Sequence, residues 1–207
     1  MGNRLILASE SPRRYELLKQ LGFNFEVIPS RVEEDFIQGE SPREHVLRLA
    51  EAKALEVGNQ YPEQWVIGAD TIVYVDGIIL GKPKNRDEAM EMLQRLSGKE
   101  HSVLTGISVH HVEMEKGDRE AVKTAVKVKT LNPVEMDWYV QTGEPFDKAG
   151  GYAIQGIGSF MIESINGSYT NVVGLPVCEL IQMLIRLGAI TISDFGMRNA
   201  DFGMNQC

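Results

Sequence analysis

Strand-like and helix-like segments alternate along this chain, separated by short connections punctuated with proline, glycine and capping residues, and that alternation favours an α/β fold. Arg4–Ala8 reads as a short buried strand. Ser11-Pro12 opens a helix to about Gln20, with Gly22 beyond it as a stop. Phe25–Pro29 is a second strand candidate. Ser41-Pro42-Arg43-Glu44 carries a capping-box pattern for a helix that Gly58 closes. Val66–Val75 and Ile78–Leu80 flank Asp76-Gly77, a strong type I′ hairpin signal. Further helices are expected at Arg86–Leu96, from Asn132-Pro133 to Gln141, and at Pro176–Arg186. Ser102–Glu113 and Phe160–Ile165 read as strands. Between Ala121 and Thr130, Val122, Val126 and Val128 alternate with lysines, as in a half-exposed strand. Hairpins and crossovers together predict a mixed, twisted sheet with flanking helices.

A chain of 207 residues, 43% of them hydrophobic, suits one sizeable domain or two lobes around a cleft. Residues 1–190 are expected to form that domain. The segment 191–207, where DFGM occurs at Asp194–Met197 and again at Asp201–Met204, is expected to be a flexible tail. A kinase origin for DFG would need a glycine-rich loop, a strand lysine and a catalytic loop before it. No apolar run approaches a membrane span and the N-terminus has no signal-like pattern, so a cytoplasmic protein without a membrane partner is expected. A net charge of −8 argues against nucleic acid as a partner while leaving room for an anionic small ligand held by local cations or a metal. Cys178 and Cys207 lie in no CxxC or Cys/His cluster, and both read as free thiols. The histidines lack ligand-spaced partners and none is assigned to metal. An exposed apolar helix face would be compatible with a homodimer.

Five places in the chain can carry chemistry. In Ala8-Ser9-Glu10-Ser11-Pro12-Arg13-Arg14 a strand ends and a helix begins, with two arginines at the positive end of the helix dipole. An anion such as a polyphosphate would relieve that conflict; pairing with neighbours such as Glu10 would relieve it too. In Ile67-Gly68-Ala69-Asp70-Thr71-Ile72-Val73 a carboxylate interrupts an interior strand. It needs a cation, a metal or a hydrogen-bond network, so it is either a metal ligand or general base, or a structural group capped by amides. Lys82, in a proline-bounded turn, can contact phosphate or be solvated. Lys53, on a partly apolar helix face, is by default a snorkelling lysine. The glycine-rich run Asp147–Gly156 reads on composition as a turn, although the amide of Gln155 offers the donor and acceptor that match a pyrimidine edge.

In order and separation these stretches resemble the Maf nucleotide pyrophosphatases. The resemblance runs through Leu7–Arg14, Gly68–Val73, Gly81-Lys82-Pro83, Leu96-Ser97-Gly98, His101-Ser102-Val103, Glu144–Gly150 and Val173-Gly174-Leu175-Pro176, from Leu5 to about Leu187. It implies a two-lobed α/β fold with a deep cleft, similar to the inosine triphosphate pyrophosphatases. It also implies hydrolysis of a nucleoside triphosphate between the α- and β-phosphates with a divalent ion, Mg²⁺ or Mn²⁺, in a house-cleaning role. Carried over by position, Asp70 looks like the acidic residue that activates water. Ser9, Arg13, Arg14, Lys53 and Lys82 look like the triphosphate-facing set, and Glu34, more than Glu33, looks like a metal-side carboxylate. Arg13 after Pro12, Thr71 after Asp70, and Gln155 resemble the branch that prefers dTTP and UTP. The competing expectations are hydrolysis of 7-methyl-GTP or a modified pyrimidine nucleotide, a nucleotide-binding regulator of cell division without turnover, and an α/β domain whose phosphate-like features are structural.

Overall fold

The structure, a computed structural model, describes residues 5–191; the expected tail beyond Thr191, both DFGM repeats and Cys207 lie outside the described residues. Seven strands are described: β1 (Leu5–Leu7), β2 (Phe25–Val27), β3 (Trp65–Val75), β4 (Ile78–Leu80), β5 (Glu100–His111), β6 (Lys116–Val128) and β7 (Ile162–Asn166). The helices among them are α1 (Pro12–Gln20), α2 (Pro42–Gly58), α3 (Arg86–Leu96), α4 (Pro133–Gln141), α5 (Tyr169–Val173) and α6 (Val177–Leu187). The helix starts follow the expected caps: Ser41 with Glu44, and Asn132 with Glu135, close full capping boxes, each with proline in the first turn. Asp76 and Gly77 take positive φ values of 50° and 81°, the left-handed pair that a type I′ turn between β3 and β4 requires.

The strands form one mixed sheet in the order β2-β1-β3-β5-β6-β7, with β1 parallel to β2 and β3 and the rest antiparallel. The short strand β4 also pairs with β3. β1 covers β3 as far as Leu7 opposite Ile67, and β4 covers it from Leu80 opposite Val73. Both lie on the side of β3 away from β5, so residues 68–72 of β3 face an open notch in the sheet. The chain leaves both covering strands at this notch, through Ser9 after β1 and through Gly81-Lys82 after β4.

Two apolar clusters flank the notch. One gathers Leu5, Leu7, Ile67, Ile107, Leu18 and Leu184; the other gathers Val73, Val103, Leu80, Leu93, Val126 and Tyr139. The long strands β3 and β5 contribute to both, and between their two contributions sit Thr71 and Thr105, opposite each other in register. The lobes are therefore two cores on one sheet, joined by a polar seam.

On the other face of β3, α2 lies unusually close. A Cβ on Gly68 would stand 2.1 Å from the Ala50 carbonyl oxygen, and one on Gly106 would stand 2.1 Å from that of Val46. Gly106 is the register partner of Asp70, so the two glycines bracket the acidic residue and allow the helix backbone onto the sheet. A five-residue helix, α5, was not expected; its Ser168 cap lies in a stretch with little apolar periodicity.

Candidate active site

Asp70 points from the open stretch of β3 toward α2 and is buried, at 5% exposure. Lys53 projects from α2 to meet it: Nζ donates to Asp70 Oδ1 at 2.8 Å and to Glu34 Oε1 at 2.5 Å. Lys53 is itself 7% exposed. Its burial is explained by these two carboxylates and not by a snorkelling stem. Glu34 arrives on a segment without helix or strand between β2 and α2. That segment is fastened at its far end, where Glu40 accepts from Arg48 Nε at 2.6 Å and from His45 Nδ1 at 3.0 Å. Of the adjacent acidic pair, Glu34 lines the cleft. Burial opposes its charge, but Lys53, aided by Lys82 and Arg14, outweighs that and holds the carboxyl below its usual range.

Arg14 is buried at the end of the notch. Its guanidinium donates to Gly174 O at 2.8 Å and, at 2.9 Å each, to Ser9 Oγ, Ala69 O and Thr71 Oγ1. Ile67 O, two residues back on β3, accepts Ala8 N. The guanidinium therefore takes up the edge carbonyl that β1 leaves behind. The dipole conflict at the start of α1 is met by these carbonyl and hydroxyl acceptors for Arg14, and for Arg13 by Asp147 Oδ2 at 3.2 Å.

Thr71 is equally engaged. Its hydroxyl takes the Arg14 N–H, pairs with Thr105 Oγ1 at 3.0 Å and reaches Gly174 O at 3.3 Å. Thr71 thus ties the cleft floor to the loop before α6. Lys82, by contrast, is exposed at the mouth of the cleft and has no hydrogen-bond partner among the described residues. The Ser9 hydroxyl accepts from Arg14 and from Ser11 N, which leaves its own proton free to donate.

Deeper along the cleft the walls turn apolar, with Val73, Val103, Tyr152 and Ile154, and Gln155 stands exposed at the rim. One end is cationic and carboxylate-lined; the other is apolar with a single free amide. A ligand with a polyanionic tail and a flat, polar-edged head matches both ends.

The structure brings Ser9, Arg13, Arg14, Glu34, Lys53, Asp70, Thr71, Lys82 and Gln155 to this one cleft. Sequence reasoning did not single out Lys148, which lines the cleft and donates to Glu144 O at 2.8 Å, or Tyr152, whose hydroxyl lies 2.6 Å from His101 Nε2. A lysine beside an aspartate carries no signal of its own, since most such pairs are solvated.

The donors present fit a hard divalent cation. Glu34 and Asp70 each give one oxygen to Lys53, and the second oxygen of each accepts no hydrogen bond among the described residues. Carboxylate oxygens are the ligands that Mg²⁺ and Mn²⁺ favour. No group of three or more His, Cys, Asp or Glu side chains placed to hold a metal occurs among the described residues. Two carboxylates completed by phosphate oxygens is the usual way a protein holds Mg²⁺. No helix among the described residues is long and apolar enough to cross a membrane.

Residues 4–187 match the family model described as Maf-like protein. A dTTP/UTP pyrophosphatase of Syntrophus aciditrophicus is 50% identical over 192 residues, covering 92% of this chain and 93% of that protein. One of Caldicellulosiruptor bescii is 51% identical over 189 residues, covering 89% and 95%. Among solved structures, the Ham1 protein of Staphylococcus aureus aligns with a TM-score of 0.43 at 17% identity, over 77% of this chain and 80% of that one, too loosely to argue from.

Proposed function

The chain belongs to the Maf-like family, and from that premise we propose that it hydrolyses dTTP and UTP to the monophosphate and pyrophosphate, with Asp70 activating the water. The observation that carries this reading is the buried Asp70 facing Glu34 across Lys53, in a notch with cations at its mouth and an apolar pocket beyond. The names of the relatives above support the choice of substrates over 7-methyl-GTP or a regulator without turnover.

Asp70 orients a water for in-line attack and takes its proton, a role that suits a carboxylate held by a single hydrogen bond on one oxygen. Lys53 keeps Asp70 and Glu34 together against their mutual repulsion. Lys82, Arg13 and the free hydroxyl proton of Ser9 meet the phosphates and stabilise the negative charge that builds on the leaving pyrophosphate. Arg14 holds Ser9 and the edge of β3 in place for that contact and has one remaining N–H to offer. Gln155 reads the edge of the pyrimidine while Val73, Val103 and Tyr152 enclose its faces. Glu34 and Asp70 are the residues that would hold Mg²⁺ or Mn²⁺, which when bound neutralises phosphate charge.

Phosphorus-31 NMR of a dTTP reaction tests the assignment. The expected products are dTMP and pyrophosphate; dTDP and orthophosphate would place the attack at the wrong bond and reject it.

A further inference from the structure

Gln155 is held by no side-chain hydrogen bond of its own among the described residues, so the ends of its loop set its aim. At the near end, Tyr152 is fixed through its hydroxyl to His101. At the far end stands a carboxylate outside the cleft lining. Glu144 Oε1 accepts from Gly158 N at 2.8 Å and from the Tyr139 hydroxyl at 3.0 Å, while Oε2 accepts from Ile157 N at 3.0 Å. Tyr139 is fully buried on α4. Three donors thus converge on one side chain and bolt the segment just after Gln155 to the core.

The residue between Gln155 and this bolt is Gly156, with φ 76° and ψ −148°. A Cβ there would lie 2.8 Å from Glu144 Oε2, so the carboxylate and the backbone are fitted to each other. Burial opposes the charge on Glu144, yet the two backbone N–H groups and the Tyr139 hydroxyl, with Lys148 nearby, keep the carboxyl below its ordinary range. The same short turn reaches the phosphate end of the cleft through a different residue, Asp147, which pairs with Arg13. The three donors to the Glu144 side chain, from Tyr139, Ile157 and Gly158, all belong to the segment after Gln155 or to the core beneath it.

We propose that Glu144 is a positioning residue for base selectivity, acting by fixing the backbone that presents Gln155. This rests on the reading of Gln155 given above.

The test is kcat/KM for dTTP and for dCTP in the wild type, Glu144→Gln, Gln155→Ala and the double variant. Glu144→Gln places an amide where three donors converge. The dTTP-over-dCTP ratio is expected to fall by about tenfold, the scale of one well-placed hydrogen bond, through KM with kcat held. The double variant should be no less selective than Gln155→Ala, because the two residues act in one path. An equal loss on both substrates, or losses that multiply in the double variant, would overturn the proposal. If Glu144→Gln does not fold, Gly156→Ala strains the same junction, and an unchanged ratio in that variant is the contrary result. A changed ratio in Gln155→Ala with none in the Glu144 and Gly156 variants rejects the Glu144 role alone. An unchanged ratio in Gln155→Ala rejects the reading of Gln155 and this role with it, while leaving the hydrolysis assignment standing.

Discussion

Lys53 Nζ stands 2.8 Å from Asp70 Oδ1, and the closeness of α2 to β3 sets that distance. The helix reaches the strand because Gly68 and Gly106 present no side chain to it. A structural feature of the core, two glycines on neighbouring strands, thereby becomes a condition for the chemistry.

Replacing Lys53 with methionine leaves Asp70 buried without its cation. Removing one partner of a buried pair is destabilising by roughly 3 kcal/mol, so the melting temperature should drop clearly in calorimetry. Pairing it with Asp70→Asn should recover part of that loss; a double variant as unstable as the sum of the singles would contradict a direct interaction.

Gly68→Ala forces the Ala50 carbonyl away from a Cβ that would otherwise stand at 2.1 Å. Overpacking of this kind costs about 1–3 kcal/mol. Because the helix carries Lys53, activity should fall along with stability. Measuring both in Gly68→Ala and Gly106→Ala checks the link, and full activity in either would break it.

Arg14 and Lys82 should separate. Arg14→Lys cannot reproduce a fork that reaches Ser9, Ala69, Thr71 and Gly174, and should lose roughly 3 kcal/mol of stability together with activity. Lys82→Met removes an exposed cation and should stay within about 0.5 kcal/mol of wild-type stability while KM for the triphosphate rises. Denaturant melts beside steady-state kinetics distinguish the two.

Stability should depend on pH through His101. Burial lowers its folded-state pKa from 6.5 to about 4. Between those values the unfolded chain binds the proton and the folded one does not, so stability is full above pH 6.5 and is lost as pH falls toward 4. Denaturant melts across that window should show a slope that His101→Phe flattens; an unchanged slope would exclude this histidine as its source.

Most of the element order was legible in the sequence, because the local signals agree with the tertiary structure. The prolines and caps at Ser11, Ser41 and Asn132 start helices where expected, and Asp76-Gly77 turns the hairpin. Asp70 stood out because a carboxylate inside an apolar strand needs an explanation, and the resemblance pointed to the other residues that meet at the cleft. The sequence did not show how each is used. Arg14 and Arg13 look alike beside Pro12, yet one is spent on carbonyl and hydroxyl groups from β3 and the Gly174 loop while the other pairs at the surface. Lys53 read as a snorkelling residue because its two carboxylates lie 17 and 19 positions away. Glu144 gave no local sign of its three donors. These roles depend on contacts between distant segments, which no helical or strand period encodes.

The most direct test of the whole account is the initial rate of pyrophosphate release from a panel of nucleoside triphosphates, in Mg²⁺ or Mn²⁺ and in EDTA, for the wild type and Asp70→Asn. Release is expected to depend on the metal, to be fastest from dTTP and UTP, and to fall at least about a hundredfold in Asp70→Asn, the loss typical of a removed general base. Equal release by the variant would contradict the role of Asp70, and no release from either pyrimidine nucleotide would contradict the assignment of function.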